Sequence, residues 1–438
     1  MHRRTFLGAT VGLAVAGRSI AANDKVVVGM VGVGGRGTQL TDFFCRRPDV
    51  EVAWICDVNS KRFEPAGKIV QQAKGLLPKT TEDFRRILDD KSVDAIVNAT
   101  PEHWHDVITI MACQAGKDVY LEKAESHTIW EGRKAVEAAR KYKRVVQIGM
   151  QTRSAPYGRT ALKAIRAEKF GKVHLVRVYN MLGERRRLVM GPDEPPPEGL
   201  NWDMWLGPAP SRPYNPAYLR RLHWDLDGGS LTGDTVHQLD LARWVIGKGY
   251  PQWVHHAGGK YAFAGDDSEQ PDTRVITYEY GDLTLTIEHT EWTPYMHKIP
   301  QQVRDGKDLP DWYPFIGTKI EIYGTDGMML LGRVGGGWQI YGPNGEKGPW
   351  DKYPHTQMQL DHVGNFISCI RTREKPCADI EEGHISAALC HMGSISYRCG
   401  NRKLVFDAAS ETFGDDAAAN QYLRRTYRAP WVIPEKIS

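Results

Sequence analysis

The sequence has no strong excess of charge of either sign. Its 57 lysines and arginines face 53 aspartates and glutamates, which gives a formal net charge of +4. Three of the positive charges, Arg3, Arg4 and Arg18, lie close to the N-terminus, and without them the balance is about +1. This balance provides no electrostatic basis for binding nucleic acid or an acidic membrane surface.

Long apolar runs, internal repeats and low-complexity tracts are also lacking. The uncharged segment from Gly8 to Gly17 is too short to cross a bilayer comfortably, so stable membrane insertion is not expected. A length of 438 residues with 41% hydrophobic content is sufficient for two ordinary domains with their own cores. The composition therefore predicts a globular protein with a small-molecule partner.

Cysteine is sparse, and its spacing matches no metal site. The seven cysteines are Cys45, Cys56, Cys113, Cys369, Cys377, Cys390 and Cys399. They are scattered through apolar or helical contexts, which predicts small core residues without a disulfide. Neither the His103 and His105 pair nor the His255 and His256 pair has a carboxylate or cysteine at fitting spacing, so no metal is expected.

The N-terminus has the pattern of an export signal over residues 1–22. Arg3 and Arg4 resemble the twin-arginine consensus, an uncharged segment follows, and Ser19 to Ala21 supply small residues for cleavage. The alternative is an N-terminal tail that begins with two arginines by chance. Because the twin-arginine pathway carries folded proteins, the pattern predicts a periplasmic or exported protein that travels with a tightly bound cofactor.

The chain is organised around one stretch that predicts a dinucleotide site. The apolar run Val26 to Val31 predicts a buried strand, and it leads directly into a G-x-G-x-x-G motif. A predicted helix from Thr38 to Arg47 and a strand from Glu51 to Cys56 follow, and Asp57 stands twenty residues beyond the last glycine. The residues of this motif that we expect to contact the cofactor are Gly32, Gly34, Gly35, Arg36 and Gly37.

Each part of this stretch has a physical role in binding a dinucleotide. Gly32 allows the tight turn, Gly34 allows close approach to the pyrophosphate, and Gly37 allows the helix to pack on the strand. The helix N-terminus offers N–H groups to the phosphates. The carboxylate of Asp57 can accept hydrogen bonds from both ribose hydroxyls, and it repels a 2′-phosphate, so NAD is favoured. The nearby cations Lys61 and Arg62 could bind a 2′-phosphate, so NADP is also possible.

Two domains are predicted from the alternation of elements. Over residues 24–150 the strands and helices alternate, which predicts an α/β doubly wound parallel sheet of the Rossmann type. Over residues 151–438 the pattern changes to an α+β domain with a large, mainly antiparallel sheet and a C-terminal tail. A hairpin is predicted at Gly281 and Asp282, between the strands Arg274 to Tyr280 and Leu283 to His289.

Two strand ends in the first domain carry polar residues. In a doubly wound sheet, ligands bind outside the carboxyl ends of the strands. The candidate residues there are Thr100, Pro101, His103, Trp104, His105, Glu122 and Lys123. We expect Thr100, Pro101, His105, Glu122 and Lys123 at the cofactor, and His103 and Trp104 at the substrate.

These motifs resemble the Gfo/Idh/MocA oxidoreductase family, to which glucose–fructose oxidoreductase and inositol dehydrogenase belong. The resemblance implies a Rossmann domain followed by an open-faced sheet domain, which often mediates assembly, so a homodimer or homotetramer is expected. It places the family's Glu-Lys-Pro motif on Glu122 and Lys123 and its catalytic histidine on His237. Two positions depart from the family pattern: Ala124 replaces the proline, and Gly233 stands where many relatives have an aspartate.

The proposed chemistry also follows from residue types. Moving a hydride from a carbinol carbon to nicotinamide requires a group that takes the hydroxyl proton, and histidine has a suitable pKa. A nearby lysine stabilises the negative charge that develops on the oxygen. We therefore assign His237 and Lys123 as the base and its electrostatic partner, with the roles open to exchange. Asp234 or Asp240 would orient the imidazole, and Asp240 could also contact substrate.

The sequence thus predicts an NAD(P)-dependent oxidoreductase acting on a ring hydroxyl or ketone of a sugar, glycoside or cyclitol. One alternative keeps the fold but cleaves a glycoside by oxidation and elimination, without net change in the cofactor. Another is a dinucleotide-binding sensor or subunit without catalytic activity. The sugar, the carbon and the direction of reaction remain open at this point.

Overall fold

A computed structural model describes residues 25–183, 187–294, 296, 298–310 and 313–437. The predicted signal peptide therefore lies outside the described residues. No helix in the described part of the chain has the length and apolar content that a bilayer crossing requires. All seven cysteines fall within the described ranges, each is a free thiol, and five are buried.

The first domain is built on a parallel sheet. Its strands are β1 Val26–Val31, β2 Val50–Cys56, β3 Lys79–Thr81, β4 Ala95–Asn98, β5 Asp118–Leu121 and β6 Val146–Ile148. Within the described residues, these six strands pair in the order β3-β2-β1-β4-β5-β6, all parallel. The helices between them are α1 Gly35–Cys45, α2 Phe63–Lys74, α3 Arg85–Asp89, α4 His105–Gln114 and α5 Ile129–Lys141. This is the doubly wound α/β sheet that the sequence predicted.

The second domain has a larger sheet and most of the remaining helices. Its strands are β7 Leu175–Met181, β8 Trp253–Gly259, β9 Thr273–Glu279, β10 Thr284–Thr290, β11 Lys319–Gly324, β12 Gly327–Gly332, β13 Trp338–Tyr341, β14 Lys347–Asp351 and β15 Leu404–Val405. Its helices are α6 Pro156–Arg166, α7 Trp202–Leu206, α8 Val236–Ile246, α9 Gln301–Asp305, α10 His355–Thr372, α11 Ile380–Arg398 and α12 Ala417–Asn420. Among the described residues, the nine strands pair in the order β14-β13-β12-β11-β7-β10-β9-β8-β15, and only β7 and β10 are parallel.

The hydrophobic alternation of the second sheet explains how it packs. In β9 and β10 the side chains of Ile276, Tyr278, Leu285 and Ile287 are buried on one face, where α8 and α11 cover them. Val275, one residue from Ile276, is 45% exposed on the opposite face. The sheet is therefore open on one side, because only its inner face carries a continuous apolar surface.

Helix α10 returns from the second half of the sequence to complete the first domain. Its residues Phe366 and Ile367 join the same buried cluster as Leu40 and Phe44 of α1. The rings of Phe44 and Phe366 meet edge to face at 6.3 Å. The parallel sheet thus depends on a helix more than 200 residues away in sequence from its last strand, which ties the two domains into one packed unit.

Candidate active site

The glycine motif forms a turn that only glycine fits at two positions. Gly32 has φ +81°, and a Cβ added there would lie 2.9 Å from the carbonyl carbon of Ala99. A Cβ at Gly37 would lie 1.9 Å from the carbonyl oxygen of Gly32. In contrast, a Cβ at Gly35, the first residue of α1, would meet no atom within 4 Å. The turn therefore leaves an open cradle at the helix N-terminus, which fits a pyrophosphate.

Asp57 lies at the end of β2 beside this turn. Its Oδ2 accepts the backbone N–H of Val33 at 2.9 Å, and its Oδ1 accepts that of Asn59 at 2.9 Å. Oδ1 accepts this one hydrogen bond and keeps a lone pair, so Asp57 can still accept a hydrogen bond from a ribose hydroxyl. Arg62, one of the residues that kept NADP possible, approaches Asp57 Oδ2 at 3.4 Å.

A cleft of about 340 Å³ runs along the carboxyl ends of the strands. Nine of the eleven residues predicted to bind the cofactor line it, namely Gly32, Gly34, Gly35, Arg36, Asp57, Thr100, Pro101, Glu122 and Lys123. Gly37 and His105 do not. The far end of the cleft is formed by Met204, Trp205, Leu219 and Arg221 of the second domain. The glycine turn and the predicted lysine thus share one continuous space.

Glu122 is held at the floor of the cleft by Arg36. The Nε of Arg36 donates to Glu122 Oε1 at 2.7 Å, and its Nη2 donates to Gln359 of α10 at 2.9 Å. Burial favours the neutral acid, but the charges of Arg36 and Lys123 outweigh it and hold the pKa of Glu122 below its usual value. A Cβ at Gly149 would lie 2.8 Å from Glu122 Oε1, so this glycine leaves room for the carboxylate.

His105 lies behind the cleft and does not line it, so the predicted contact between His105 and the cofactor is wrong. Its side chain is buried, with Nδ1 2.6 Å from the carbonyl oxygen of Ala124 and Nε2 2.9 Å from that of Thr100. Burial lowers its pKa to about 4, so the ring is neutral. The imidazole joins the loops that follow β4 and β5, and this fixes the position of Lys123 relative to Thr100.

Lys123 extends from the end of β5 toward the second domain. Its Nζ donates to the carbonyl oxygen of Gly233, and the peptide bond to Ala124 is cis. Burial lowers the pKa of Lys123, although the carboxylates of Glu122 and Asp234 oppose this. A Cβ at Gly233 would meet no atom within 4 Å, so the space beside the ammonium group is open.

His237 lies at the start of α8, directly after a π-helical turn, Leu231–Thr235. The side chain is half-buried, and within the described residues neither ring nitrogen forms a hydrogen bond. Burial, together with the charges of Arg333 and Lys123, holds the pKa of His237 well below its ordinary value. The imidazole is therefore neutral near pH 7, and a ring nitrogen is available to accept a proton.

Asp234 does not orient His237 as predicted. Its Oδ1 accepts a hydrogen bond from Arg333 Nη1 at 2.6 Å, and Lys298 Nζ lies 3.6 Å from the same oxygen. Burial is outweighed by the Arg333 charge, which holds the pKa of Asp234 far below its usual value. The sequence prediction missed Arg333, because it stands in a glycine-rich turn with no motif around it.

Asp240 and His103 lie in the core, so their predicted substrate contacts are wrong. Asp240 pairs with Arg153 through two nitrogens, at 2.8 and 2.9 Å, and accepts Ser386 Oγ at 2.7 Å. His103 is fully buried, with its ring nitrogens 2.9 Å and 3.2 Å from the carbonyl oxygens of Trp205 and Leu226.

Trp104 does line the cleft, but it is largely a packing residue. Its Nε1 donates to the carbonyl oxygen of Met204 at 3.0 Å. Its ring packs against Trp431 of the C-terminal tail, with centroids 4.8 Å apart, and against Phe84 at 5.7 Å. Among the described residues, no group of three or more histidine, cysteine, aspartate or glutamate side chains has the arrangement of a metal site.

Two family models match the chain. One, described as an oxidoreductase family NAD-binding Rossmann fold, matches residues 26–150, and the other, an oxidoreductase family C-terminal alpha/beta domain, matches residues 186–291 and 332–433. The chain belongs to the Gfo/Idh/MocA oxidoreductase family. This confirms the resemblance, the fold and the NAD-binding character of the first domain.

Curated relatives of this Gfo/Idh/MocA protein match only part of it. A glycosyl hydrolase family 109 protein of Stenotrophomonas maltophilia is 34% identical over 142 residues, which are 30% of this chain and 31% of that protein. An uncharacterised oxidoreductase of Bacillus subtilis is 24% identical over 267 residues, 60% of this chain and 66% of that protein. The matches thus span about a third to two thirds of these relatives.

Solved structures of similar fold cover most of the chain. The WlbA dehydrogenase of Bordetella pertussis, in complex with NADH and UDP-GlcNAcA, is 22% identical with a TM-score of 0.62, over 87% of this chain and 99% of that one. A levoglucosan dehydrogenase in complex with NADH and levoglucosan is 16% identical with a TM-score of 0.63, over 87% and 99%. An aldose–aldose oxidoreductase of Caulobacter crescentus is 19% identical with a TM-score of 0.64, over 87% and 100%. At these identities the likeness establishes the fold.

Proposed function

We propose that the protein oxidises or reduces a ring carbon of a sugar, glycoside or cyclitol with a tightly bound NAD. The observation that carries the proposal is that Lys123, which lines the glycine-rich cleft, lies close enough to the neutral His237 for its charge to lower the pKa of that imidazole. A lysine and a histidine from different domains, with the lysine charge helping to keep the imidazole neutral, form an arrangement suited to proton removal from a hydroxyl.

The residues of the cleft fit NAD. Gly32 and Gly37 permit the turn, the N-terminus of α1 offers N–H groups to the pyrophosphate, and Asp57 is available to the ribose. Glu122 and Lys123 lie where the strand end meets the second domain. When bound, the nicotinamide supplies the acceptor or donor of a hydride.

The side chains of the site would handle the proton and the charge. His237 Nδ1 or Nε2 accepts the proton of the substrate hydroxyl as that carbon becomes a carbonyl, and in reduction it returns the proton. The Lys123 ammonium lies beside the same oxygen and stabilises its negative charge while the proton moves. Asp234, paired with Arg333, supplies a fixed negative charge that partly offsets these cations.

The names of similar proteins support the substrate class. Among the solved structures of the same fold, one is a complex with levoglucosan and another with a nucleotide sugar. Those ligands are carbohydrates with ring hydroxyls. Together with the Lys123 and His237 pair, they favour a carbohydrate or cyclitol alcohol over other alcohols.

The substitution Lys123→Met tests the proposal. We expect turnover to fall by about 100-fold or more, because the oxygen loses its electrostatic partner, while NAD stays bound through the glycine turn. Turnover is measured as absorbance at about 340 nm on addition of glucosides, free sugars and inositols. The control is Lys68→Met, because Lys68 is exposed on α2 and pairs only with Glu64. Full turnover by Lys123→Met protein that still binds NAD would contradict the proposed role of Lys123.

The glycosyl hydrolase family 109 relatives favour a second candidate, cleavage of a glycoside by oxidation and elimination. Oxidation of a ring carbon acidifies a neighbouring C–H, the glycosidic substituent leaves as an alcohol, and addition of water and return of the hydride complete a net hydrolysis. Product analysis separates the two candidates. Free aglycone without accumulating NADH supports cleavage, whereas a keto sugar with stoichiometric NADH supports the oxidoreductase.

We also propose that the folded protein is exported with NAD bound. The supporting observation is the Arg3 and Arg4 pair ahead of an uncharged segment. Cell fractionation checks this, with a variant in which both arginines are lysine as the comparison. Wild-type protein in the cytoplasm, or exported protein without NAD, would contradict the proposal.

A further inference from the structure

The space around Lys123 and His237 is rich in positive charge. Six cationic side chains lie around it, namely Arg36, Lys123, Arg221, Lys298, Arg304 and Arg333. Of the four carboxylates near them, Glu122 and Asp234 each accept a hydrogen bond from an arginine, Asp227 pairs with Arg221, and Asp305 acts on Arg304. An oxidised nicotinamide adds a further positive charge when bound. The site therefore has more positive than negative charge before substrate enters.

Arg304 is a cation of this group that has no ion pair among the described residues, although Asp234 and Asp305 act on it from a distance. Its Nε donates to the carbonyl oxygen of Ile299 at 3.0 Å, and the terminal nitrogens of its half-buried guanidinium have no hydrogen-bond partner among the described residues. It forms no ion pair within the same ranges. A guanidinium removed from much of its water and left without an anion is unfavourable in the free protein.

Arg304 and Arg333 lie on the two sides of one glycine turn. A Cβ at Gly335 would lie 3.3 Å from the Cβ of Arg304 and 2.9 Å from that of His355. Arg333 is buried, and its Nε has no hydrogen-bond partner. Burial and the charge of Arg333 lower the pKa of Arg304, which agrees with two guanidinium groups held close together. Such a pair of guanidinium groups is stabilised by an anion that accepts hydrogen bonds from both.

The same two arginines belong to the catalytic surroundings. Arg333 contacts Asp234, three residues before His237, and its charge lowers the pKa of His237. An anion held by Arg304 and Arg333 would therefore lie near the imidazole. Asp234 already neutralises the charge of Arg333, so the guanidinium of Arg304 is the one without an anion. A ligand group with a single negative charge would neutralise it.

We propose that the substrate is an acidic carbohydrate, such as a uronic acid or its glycoside, whose carboxylate is bound by Arg304 with Arg333. This inference rests on the proposed function, because it names the substrate class of the same site. A planar guanidinium fork fits a carboxylate through two parallel hydrogen bonds, which would fix the ring near His237 and favour acidic over neutral sugars.

Equilibrium binding to the NAD-loaded, full-length protein tests the inference independently of turnover. Calorimetry compares methyl β-D-glucuronide with methyl β-D-glucoside and with methyl β-D-glucoside 6-phosphate. We expect the glucuronide to bind about tenfold or more tightly than the glucoside. In Arg304→Gln this preference should disappear with little change in glucoside affinity, and Arg304→Lys should keep part of it.

The control is Arg402→Gln, since Arg402 is an exposed arginine that pairs with Asp416 away from the cleft. It should bind all three ligands as the wild type does. Equal affinity of wild-type protein for glucoside and glucuronide, tighter binding of the phosphate, an unchanged preference in Arg304→Gln, or no binding of any ligand would each overturn the inference. Thermal unfolding of each variant excludes misfolding as the cause.

Absorbance at about 340 nm in the same samples separates this inference from the proposed function. If the glucuronide binds preferentially but neither NADH nor cleaved product forms, the acidic-ligand site stands and the catalytic proposal fails. If glucoside and glucuronide bind and react equally, the catalytic proposal stands and the acidic-ligand site fails.

Discussion

At the scale of single residues, the protonation state of His237 decides what the site can do. An imidazole surrounded by cations and partly removed from water keeps its neutral form, and only the neutral form accepts a proton from a hydroxyl. In the proposed mechanism Lys123 has the opposite role, since it acts through its charge. The ordinary pKa values of the two groups are 6.5 and 10.5, and burial lowers both, which keeps His237 neutral as the proposed base.

This separation predicts the pH dependence of activity. The pKa of His237 is lowered by burial and by Arg333 and Lys123, so the acid limb of kcat/KM should lie well below pH ~6.5. In Arg333→Gln one of these charges is lost, the pKa of His237 rises, and the limb should move toward pH ~6.5. Steady-state kinetics from acid to neutral pH measures the acid limb of kcat/KM in the wild type and in Arg333→Gln. A wild-type limb at or above pH ~6.5 would show that His237 is not held neutral in this way.

Asp240 illustrates a residue whose role only its contacts reveal. The structure pairs it with Arg153 in the core, so Asp240→Asn should leave the buried Arg153 partly uncompensated and lower the free energy of unfolding by about 3 kcal/mol. NAD affinity should be unchanged, because Asp240 does not line the cleft. The control Asp42→Asn removes an exposed pair with Arg46 and should cost less than about 1 kcal/mol. Equal effects of the two substitutions on chemical denaturation would contradict the assignment.

At the scale of elements, the turn from β1 into α1 combines close packing with an open helix end. The helix begins at Gly35, three residues earlier than predicted, so the glycine motif is itself the first turn of the helix. Where the helix packs against the strand, the carbonyl oxygen of Gly32 lies so close to the α-carbon of Gly37 that no Cβ fits between them. The exposed side, at Gly35, is free for the phosphates.

Two substitutions in this turn should therefore differ sharply in the absence of cofactor. Gly37→Ala places a Cβ 1.9 Å from the Gly32 oxygen and should lower the Tm of the NAD-free protein by several degrees, because α1 must move off β1. Gly35→Ala meets no atom within 4 Å and should leave that Tm nearly unchanged. Differential scanning calorimetry on NAD-stripped protein measures both. Similar Tm values for the two variants would mean that the turn relaxes easily.

At the scale of the whole molecule, buried ion pairs join parts of the chain that are far apart in sequence. His384 of α11 is fully buried between Glu411 of the C-terminal tail, at 3.0 Å, and Glu125 of the loop after β5, at 3.7 Å. A Cβ at Gly132 of α5 would lie 2.4 Å from His384 Nδ1, so that glycine makes room for the cluster. Both domains and the tail meet at this histidine.

This cluster predicts a loss of stability in mild alkali. Burial opposes the charged imidazole, but Glu125 and Glu411 outweigh it and raise the pKa of His384 to about 9. The contribution to stability is complete below pH ~6.5 and is lost as the pH rises through the folded-state value, by a few kcal/mol. The Tm should fall between pH ~6.5 and ~9 and should fall less in His384→Gln. An identical pH dependence in the two proteins would exclude His384 as the cause.

Several parts of the fold were predictable because their signals are local. The strand Val26–Val31 and the hairpin at Gly281 are as predicted, since apolar runs and turn residues determine them within a few positions. No prediction covered α10 and α11, although Val363, Phe366 and Ile367 have helical spacing. The oligomeric state and the export route stay predictions.

The sequence alone determined the dinucleotide site, because a strand, a glycine turn, a helix and an acidic residue lie within about thirty residues of one another. The catalytic roles of Lys123 and His237 stay predictions. Tertiary structure decided which other groups join them. Arg333 pairs with Asp234 near His237, while Asp240 and His103 lie buried in the core and His105 joins two loops. These assignments depend on contacts across hundreds of residues, and the burial and neighbouring charges that set each group's chemistry exist only once the chain is packed.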